Sequence, residues 1–164
     1  MNIGLIIIIV IALALILGPV MMLRPNAAQK YKEGLRRLAR AEGVHYSIRN
    51  IPRQADEQEQ PAGVPVYFFP PLKTQTSPGW MLVRTHYEHD LHFLGWWNWQ
   101  GEERPTDAEL EVLREHLPTL PESVRAVSSA GQGVTVYWEE QGGEPVLQQV
   151  LSLLKSLRVA VTLE

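Results

Sequence analysis

The stretch from Ile3 to Leu23 constrains this chain more than any other, because it runs for twenty-one residues without a charge and with almost no polar side chain. As a helix rising about 1.5 Å per residue it would extend roughly 31 Å, which matches the hydrocarbon thickness of a bilayer. A secretory signal needs a basic n-region and a small-residue cleavage site. Here only Met1 and Asn2 precede the run, and the nearest small pair, Ala27 and Ala28, follows Arg24 and Pro25. The expectation is an uncleaved transmembrane helix over residues 1–23, with a cleaved signal and a buried core helix as the alternatives.

Charge is distributed as unevenly as hydrophobicity. Residues 24–43 hold six basic side chains, Arg24, Lys30, Lys32, Arg36, Arg37 and Arg40, against Glu33 and Glu42, whereas residues 44–164 hold nine basic and sixteen acidic ones. Positive charge close to a membrane-spanning helix stays on the cytoplasmic side. The expected topology is therefore single-pass, with the N-terminus outside and the C-terminal part cytoplasmic. An acidic domain repels phosphate backbones, so no nucleic-acid partner is expected. Ala14 and Gly18 form a small-xxx-small pair that would let two helices approach closely in lipid and give a homo-oligomer; the alternative is a pair of small residues facing lipid. Pro19, unable to donate to the carbonyl four residues back, predicts a bend near the end of the helix.

Asn26 can cap a second helix reaching about Glu42, with Tyr31, Leu35 and Leu38 on one face, basic residues around the rest, and Gly43 as the stop. This basic juxtamembrane helix, residues 24–43, either lies against anionic membrane lipid or serves as a solvated stalk.

The run Met22-Leu23-Arg24-Pro25 followed by Gln29-Lys30, at the end of a hydrophobic helix, resembles the YajC family of bacterial inner-membrane proteins. The resemblance covers residues 10–40. It implies an inner-membrane accessory without catalytic residues that accompanies the Sec preprotein translocase. The family's short glycine-containing β segment does not follow here, and the remaining chain is considerably longer.

Residues 44–164 read as one soluble α+β domain. Alternation predicts strands over 45–51, 64–69, 80–87 and 91–99, a β-meander interrupted by polar loops at 52–63 and 73–78. Thr106-Asp107-Ala108-Glu109 is a capping box opening a helix in which Leu110, Leu113 and Leu117 share a face. Strands at 124–128 and 134–139 flank Ala130-Gly131-Gln132-Gly133, and Pro145 opens a last helix with Leu147, Val150, Leu151, Leu154 and Leu157 as its buried stripe. Val159, Val161 and Leu163 alternate as a closing strand. From Leu91 onward the order is that of a ferredoxin-like βαββαβ unit.

There is no cysteine. No nucleophile elbow, phosphate-cradling lysine loop or His-Glu-x-x-His occurs, and Glu88, Asp90, Glu102, Glu103 and Asp107 read as acidic surface, so no enzyme and no cofactor are expected. His86, His89 and His92 straddle a turn and point to different faces, which argues against a metal site. Trp80, Trp96, Trp97 and Trp99 place four of five tryptophans within twenty residues. Strand alternation turns Trp96 away from Trp97 and Trp99, which makes these three a candidate partner surface; packing into cores on both faces is the alternative. The resulting functional expectation is a membrane-anchored, non-enzymatic accessory or scaffold that binds another membrane protein or complex. Its rival is a membrane-tethered sensor or small-ligand-binding domain.

Overall fold

The structure, a computed structural model, describes residues 2–22, 26–52, 63–71 and 79–162, and for 18–22 the backbone alone. Arg24, the closing Leu163 and most of the two expected polar loops lie outside the described residues. The chain divides into two units, Met1–Gly34 and Leu35–Glu164.

The first unit holds helix α1 (Ile3–Met22) and the opening turns of α2 (Ala27–Ala41). Asn26 caps α2, its Oδ1 accepting from the Gln29 amide at 2.8 Å. The expectation of a transmembrane helix over 1–23 is not met: among the described residues no helix is long and apolar enough to cross a membrane. The single-pass inner-membrane location and its outside-to-cytoplasm orientation rested on that span and are withdrawn with it. Ala14 is an exposed position of α1, and Gly18 lies one turn further along the same helix.

The second unit is α+β. Six strands, β1 (His45–Arg49), β2 (Val64–Phe68), β3 (Trp80–Arg84), β4 (Trp97–Gln100), β5 (Val124–Ala130) and β6 (Gly133–Trp138), form one sheet in the order β1-β2-β6-β5-β3-β4. Every neighbouring pair is antiparallel, so the sheet is three sequential hairpins laid side by side. Register places Tyr46, Tyr67, Val136, Val127, Leu82 and Trp99 in one row across all six strands. That face carries the main core, which α3 (Asp107–His116), α4 (Gly143–Thr162) and the Leu35 and Ala39 positions of α2 cover. The opposite face has a smaller cluster of Ile51, Val66, Val83, Ala126 and Tyr137. Gly133 makes the β5–β6 turn at φ +87°, where a Cβ would collide with the Phe69 carbonyl; only glycine fits there.

The ferredoxin-like βαββαβ unit is not formed. Residues 159–162 continue α4 instead of opening a strand: Val161 is buried one turn beyond Leu157, while Val159 points outward, as the helical period requires. The sheet order differs as well, because β3 stands between β4 and β5 and leaves β4 at the edge. The strand expected over 91–99 begins only at Trp97. Gly95 adopts φ +54°, and Leu94 bridges back to Trp97, so residues 91–96 form a connection rather than a strand. The capping box opens α3 with both of its reciprocal bonds made, and a 3-10 turn at Leu117–Thr119 ends it.

Candidate functional site

Two groupings of charged and aromatic side chains among the described residues of the second unit are built differently. The first is at the end of β6. Glu140 has φ +59°, the left-handed region, and just beyond the end of β6 its carboxylate is fully buried. Arg36 Nε and Nη2 donate to its two oxygens at 2.6 and 2.8 Å, and the Tyr67 hydroxyl donates to Oε1 at 2.9 Å. The Arg36 guanidinium also stacks 4.2 Å from the Tyr46 ring centroid. The bond to Glu140 raises Arg36 above the usual arginine range. Burial raises Tyr67 well above the usual tyrosine range, and the neighbouring Glu140 charge adds to it. Tyr46 is raised by burial too, against the opposing charge of Arg36. Each group thus keeps the proton its bonds require, and the arrangement is a closed structural latch.

The second place is a cleft of about 210 Å³ where β3 ends and β5 begins, lined by Arg84, Thr85, His86, Trp96, Glu122 and Arg125. Its construction begins with a β-bulge. Val83 pairs with Ala126, but the β5–β6 register shifts between Val124 and Ala126, so Arg125 is the extra residue. The bulge turns Val124 into the main core, while the β3–β5 register, one step beyond the Val83–Ala126 pair, brings Arg125 beside Arg84. Arg84 Nη1 donates to the Leu120 carbonyl at 3.2 Å, and its guanidinium lies 5.6 Å from the Trp97 ring. Burial holds Arg84 below the usual arginine range, the Glu122 charge opposing that shift and the Arg125 charge adding to it. Arg125 Nη1 contacts Glu139 Oε1 at 3.3 Å, longer than the ~2.7–2.9 Å of a tight charge-assisted bond.

The β3–β4 connection closes one side of the cleft, and its own polar groups hold it in place. The Thr85 amide donates to the Trp96 carbonyl at 2.8 Å, and Thr85 Oγ1 lies 2.6 Å from the Tyr87 carbonyl. His92 Nδ1 donates to the Gly95 carbonyl at 2.8 Å, and His89 Nδ1 accepts from the Leu91 amide at 3.0 Å. His89 and His92 therefore shape the loop, while His86 lines the cleft. No group of three His, Asp or Glu residues able to hold a metal ion occurs among the described residues. Glu88, Asp90, Glu102, Glu103 and Asp107 are all exposed.

The three tryptophans of the candidate partner surface are separated. Trp97 is buried in the main core, Trp99 is half-buried against Trp80 and Phe93, and Trp96 is 41% exposed at the cleft. Beside Trp96 the same connection exposes Tyr87 at 52% and Leu91 at 85%. Of the basic residues in α2, Arg36 serves the latch, Lys30, Arg37 and Arg40 are exposed, and Lys32 is half-buried. Glu140, Tyr67, Arg84 and Arg125 escape a reading by motif. The only local hint is a pair of glutamates closing an apolar strand. Comparison of the chain with protein-family models, with curated proteins and with solved structures finds no match in any of the three.

Proposed function

We propose that the second unit is a non-catalytic binding module that docks a partner protein on the β3–β4 connection. The observation that carries this reading is the grouping of Tyr87, Leu91 and Trp96, three large apolar side chains exposed on one short loop that is held by its own hydrogen bonds. Ordered apolar and aromatic groups lose little conformational freedom on contact, which favours association. The absence of catalysis is supported by the use made of the buried acids. Glu109 is taken up by its capping box and by Trp80 Nε1 at 3.1 Å, and Glu140 by the latch. The cleft beside Trp96, at about 210 Å³, is smaller than the ~300 Å³ at which pockets for drug-sized ligands begin, so it suits a side chain better than such a ligand. The resemblance of residues 10–40 to YajC makes a subunit of the preprotein translocase the first partner to test.

A photo-crosslinking residue at Leu91 of the full chain should give one discrete adduct in cells, and the same residue at Glu115 should not. Leu91→Ser together with Trp96→Ser should abolish the adduct formed from Tyr87 while stability changes by no more than about 0.5 kcal/mol, as for most surface substitutions. Equal crosslinking from both sites, or a large loss of stability, would overturn the proposal.

A further inference from the structure

We infer that β1 is a self-association edge: a second copy of this chain adds its own β1 antiparallel to it, joining the two sheets across a two-fold axis at Ser47. Strand order and hydrogen-bond parity leave this edge open. β1 ends the sheet and pairs on one side only, with β2. The Phe69 amide donates to the Val134 carbonyl at 3.1 Å, so Tyr67 and Pro65, counted back by twos, turn their main-chain groups toward β6, while Val64, Val66 and Phe68 turn theirs toward β1. Their partners Arg49, Ser47 and His45 therefore bond inward, and the N–H and C=O of Tyr46 and Ile48 point out of the sheet. The proline opposite Ile48 agrees with this parity, since Pro65 has no N–H to donate. Among the described residues no hydrogen bond reaches the outward main-chain groups of Tyr46 and Ile48.

The two edges of the sheet are finished differently. At β4 the connection folds back, the Trp97 amide donating to the Leu94 carbonyl at 2.9 Å and the Phe93 amide to the Trp97 carbonyl at 2.9 Å. β1 has none of the devices that keep an edge from pairing: it contains no proline and no lysine, and its register with β2 runs without a bulge. Its basic residues are drawn back over their own sheet, the Arg49 guanidinium 4.7 Å and the His45 ring 5.6 Å from the Phe68 ring centroid. What remains is self-complementary. With Ser47 on the axis, Tyr46 of each copy faces Ile48 of the other, and each such pair exchanges both of its main-chain bonds. Ile48 is 62% exposed, and the Tyr46 ring is held by Arg36 at 4.2 Å and Tyr67 at 5.8 Å. An ordered aromatic ring thus meets an exposed β-branched side chain, a pairing favoured across strands. The contact uses the same edge of both copies, so it closes at a dimer. It lies at the opposite end of the sheet from β4 and stands independently of the docking reading.

The chain has no cysteine, so single cysteines report the register directly. Ser47→Cys in the full chain, held in a non-ionic detergent under mild oxidant, should close a disulfide-linked dimer, because residues opposed at a non-hydrogen-bonded position lie about 4.5 Å apart. His45→Cys should close on the order of a hundredfold more slowly, since its counterpart would lie roughly 14 Å away, beyond the ~7 Å that a disulfide spans. Ile48→Pro removes an outward N–H, and Ile48→Lys sets a charge beside Tyr46 of the second copy. Each, added to Ser47→Cys, should slow closure by about tenfold or more and leave the melting temperature of the reduced protein unchanged, as expected for an exposed edge position. The lysine variant decides the matter if proline disturbs the fold. Equal closure at residues 45 and 47 would show association without this register. Closure that survives both Ile48 changes would place the contact elsewhere, and no dimer from Ser47→Cys would leave the edge unpaired. A disulfide adduct of Ser47→Cys in cells whose mass is not twice that of the chain would make the occupant a strand of another protein. Each of these four results overturns the inference.

Discussion

The latch at Glu140 and the cleft at Arg84 use the same materials, arginine, glutamate and an aromatic ring, to opposite ends. In the latch each charge has its counterpart at bonding distance, 2.6 and 2.8 Å, and the carboxylate is sealed from water. In the cleft two arginines and one glutamate are among the described lining residues, the ion pair of Arg125 with Glu139 is 3.3 Å long, and an indole stands open beside them. The difference teaches what buried charge is for in each place. A buried carboxylate that two partners satisfy holds two distant parts of the chain together, since removing any one partner leaves the others unsolvated. In the cleft the contacts are looser: Arg84 reaches the Leu120 carbonyl at 3.2 Å, and Arg125 meets Glu139 at 3.3 Å between partly exposed side chains.

The most direct way to break the comparison is Glu140→Ala. It strips Arg36 and the Tyr67 hydroxyl of their acceptor and should destabilise the protein by about 3 kcal/mol, the lower end for a broken buried pair, because Arg36 is 32% exposed. Chemical denaturation of the two proteins checks this. Glu140→Gly should be milder by about 1 kcal/mol, since glycine is unstrained at φ +59°. A loss below about 1 kcal/mol for the alanine change would mean that the latch is no tighter than a surface pair.

Tyr67→Phe sharpens the contrast. It removes one hydrogen bond from the buried carboxylate and should cost about 1 kcal/mol near neutrality. Its pH signature follows from linkage. The folded protein holds Tyr67 protonated above the ordinary tyrosine value, chiefly through burial, so the stability it contributes is complete below about pH 10 and is lost as pH rises beyond that. Melting temperatures taken across the alkaline range should fall less steeply for the phenylalanine variant. Some decline should remain, because Tyr46 is raised in the same direction. Identical alkaline slopes would show that the Tyr67 hydroxyl is not buried against Glu140.

The smallest expected effect is at the cleft. Arg125→Gln should change stability by no more than about 0.5 kcal/mol, because the ion pair with Glu139 is long and partly solvated. A cost comparable to that of Glu140→Ala would make the cleft a second latch and end the distinction.

What could be read from the chain was local in each case. The capping box of α3 was readable because Thr106 and Glu109 are three residues apart and their bonds need no other part of the protein. The stripe of α4 was readable because helical period repeats every few residues, and the same period should have carried the helix through Val161 against the weaker three-residue alternation of 159–163. Hydrophobicity over residues 3–23 was equally plain, but an apolar run states a composition, and no helix among the described residues is long and apolar enough to cross a membrane. The turn at Gly133 could be placed, since its glycine lies between two apolar runs, yet the reason for the glycine is the Phe69 carbonyl sixty-four residues earlier. Tertiary structure alone decided the order of the hairpins in the sheet, the meeting of Arg36 with Glu140 across 104 residues, and the β3–β5 register that brings Arg125 beside Arg84. The physical reason is the reach of the signals. Caps, turns and periodicities are settled by interactions within a few residues, whereas strand order and the pairing of buried charges depend on which distant surfaces bury most together, and no short window of sequence holds both partners.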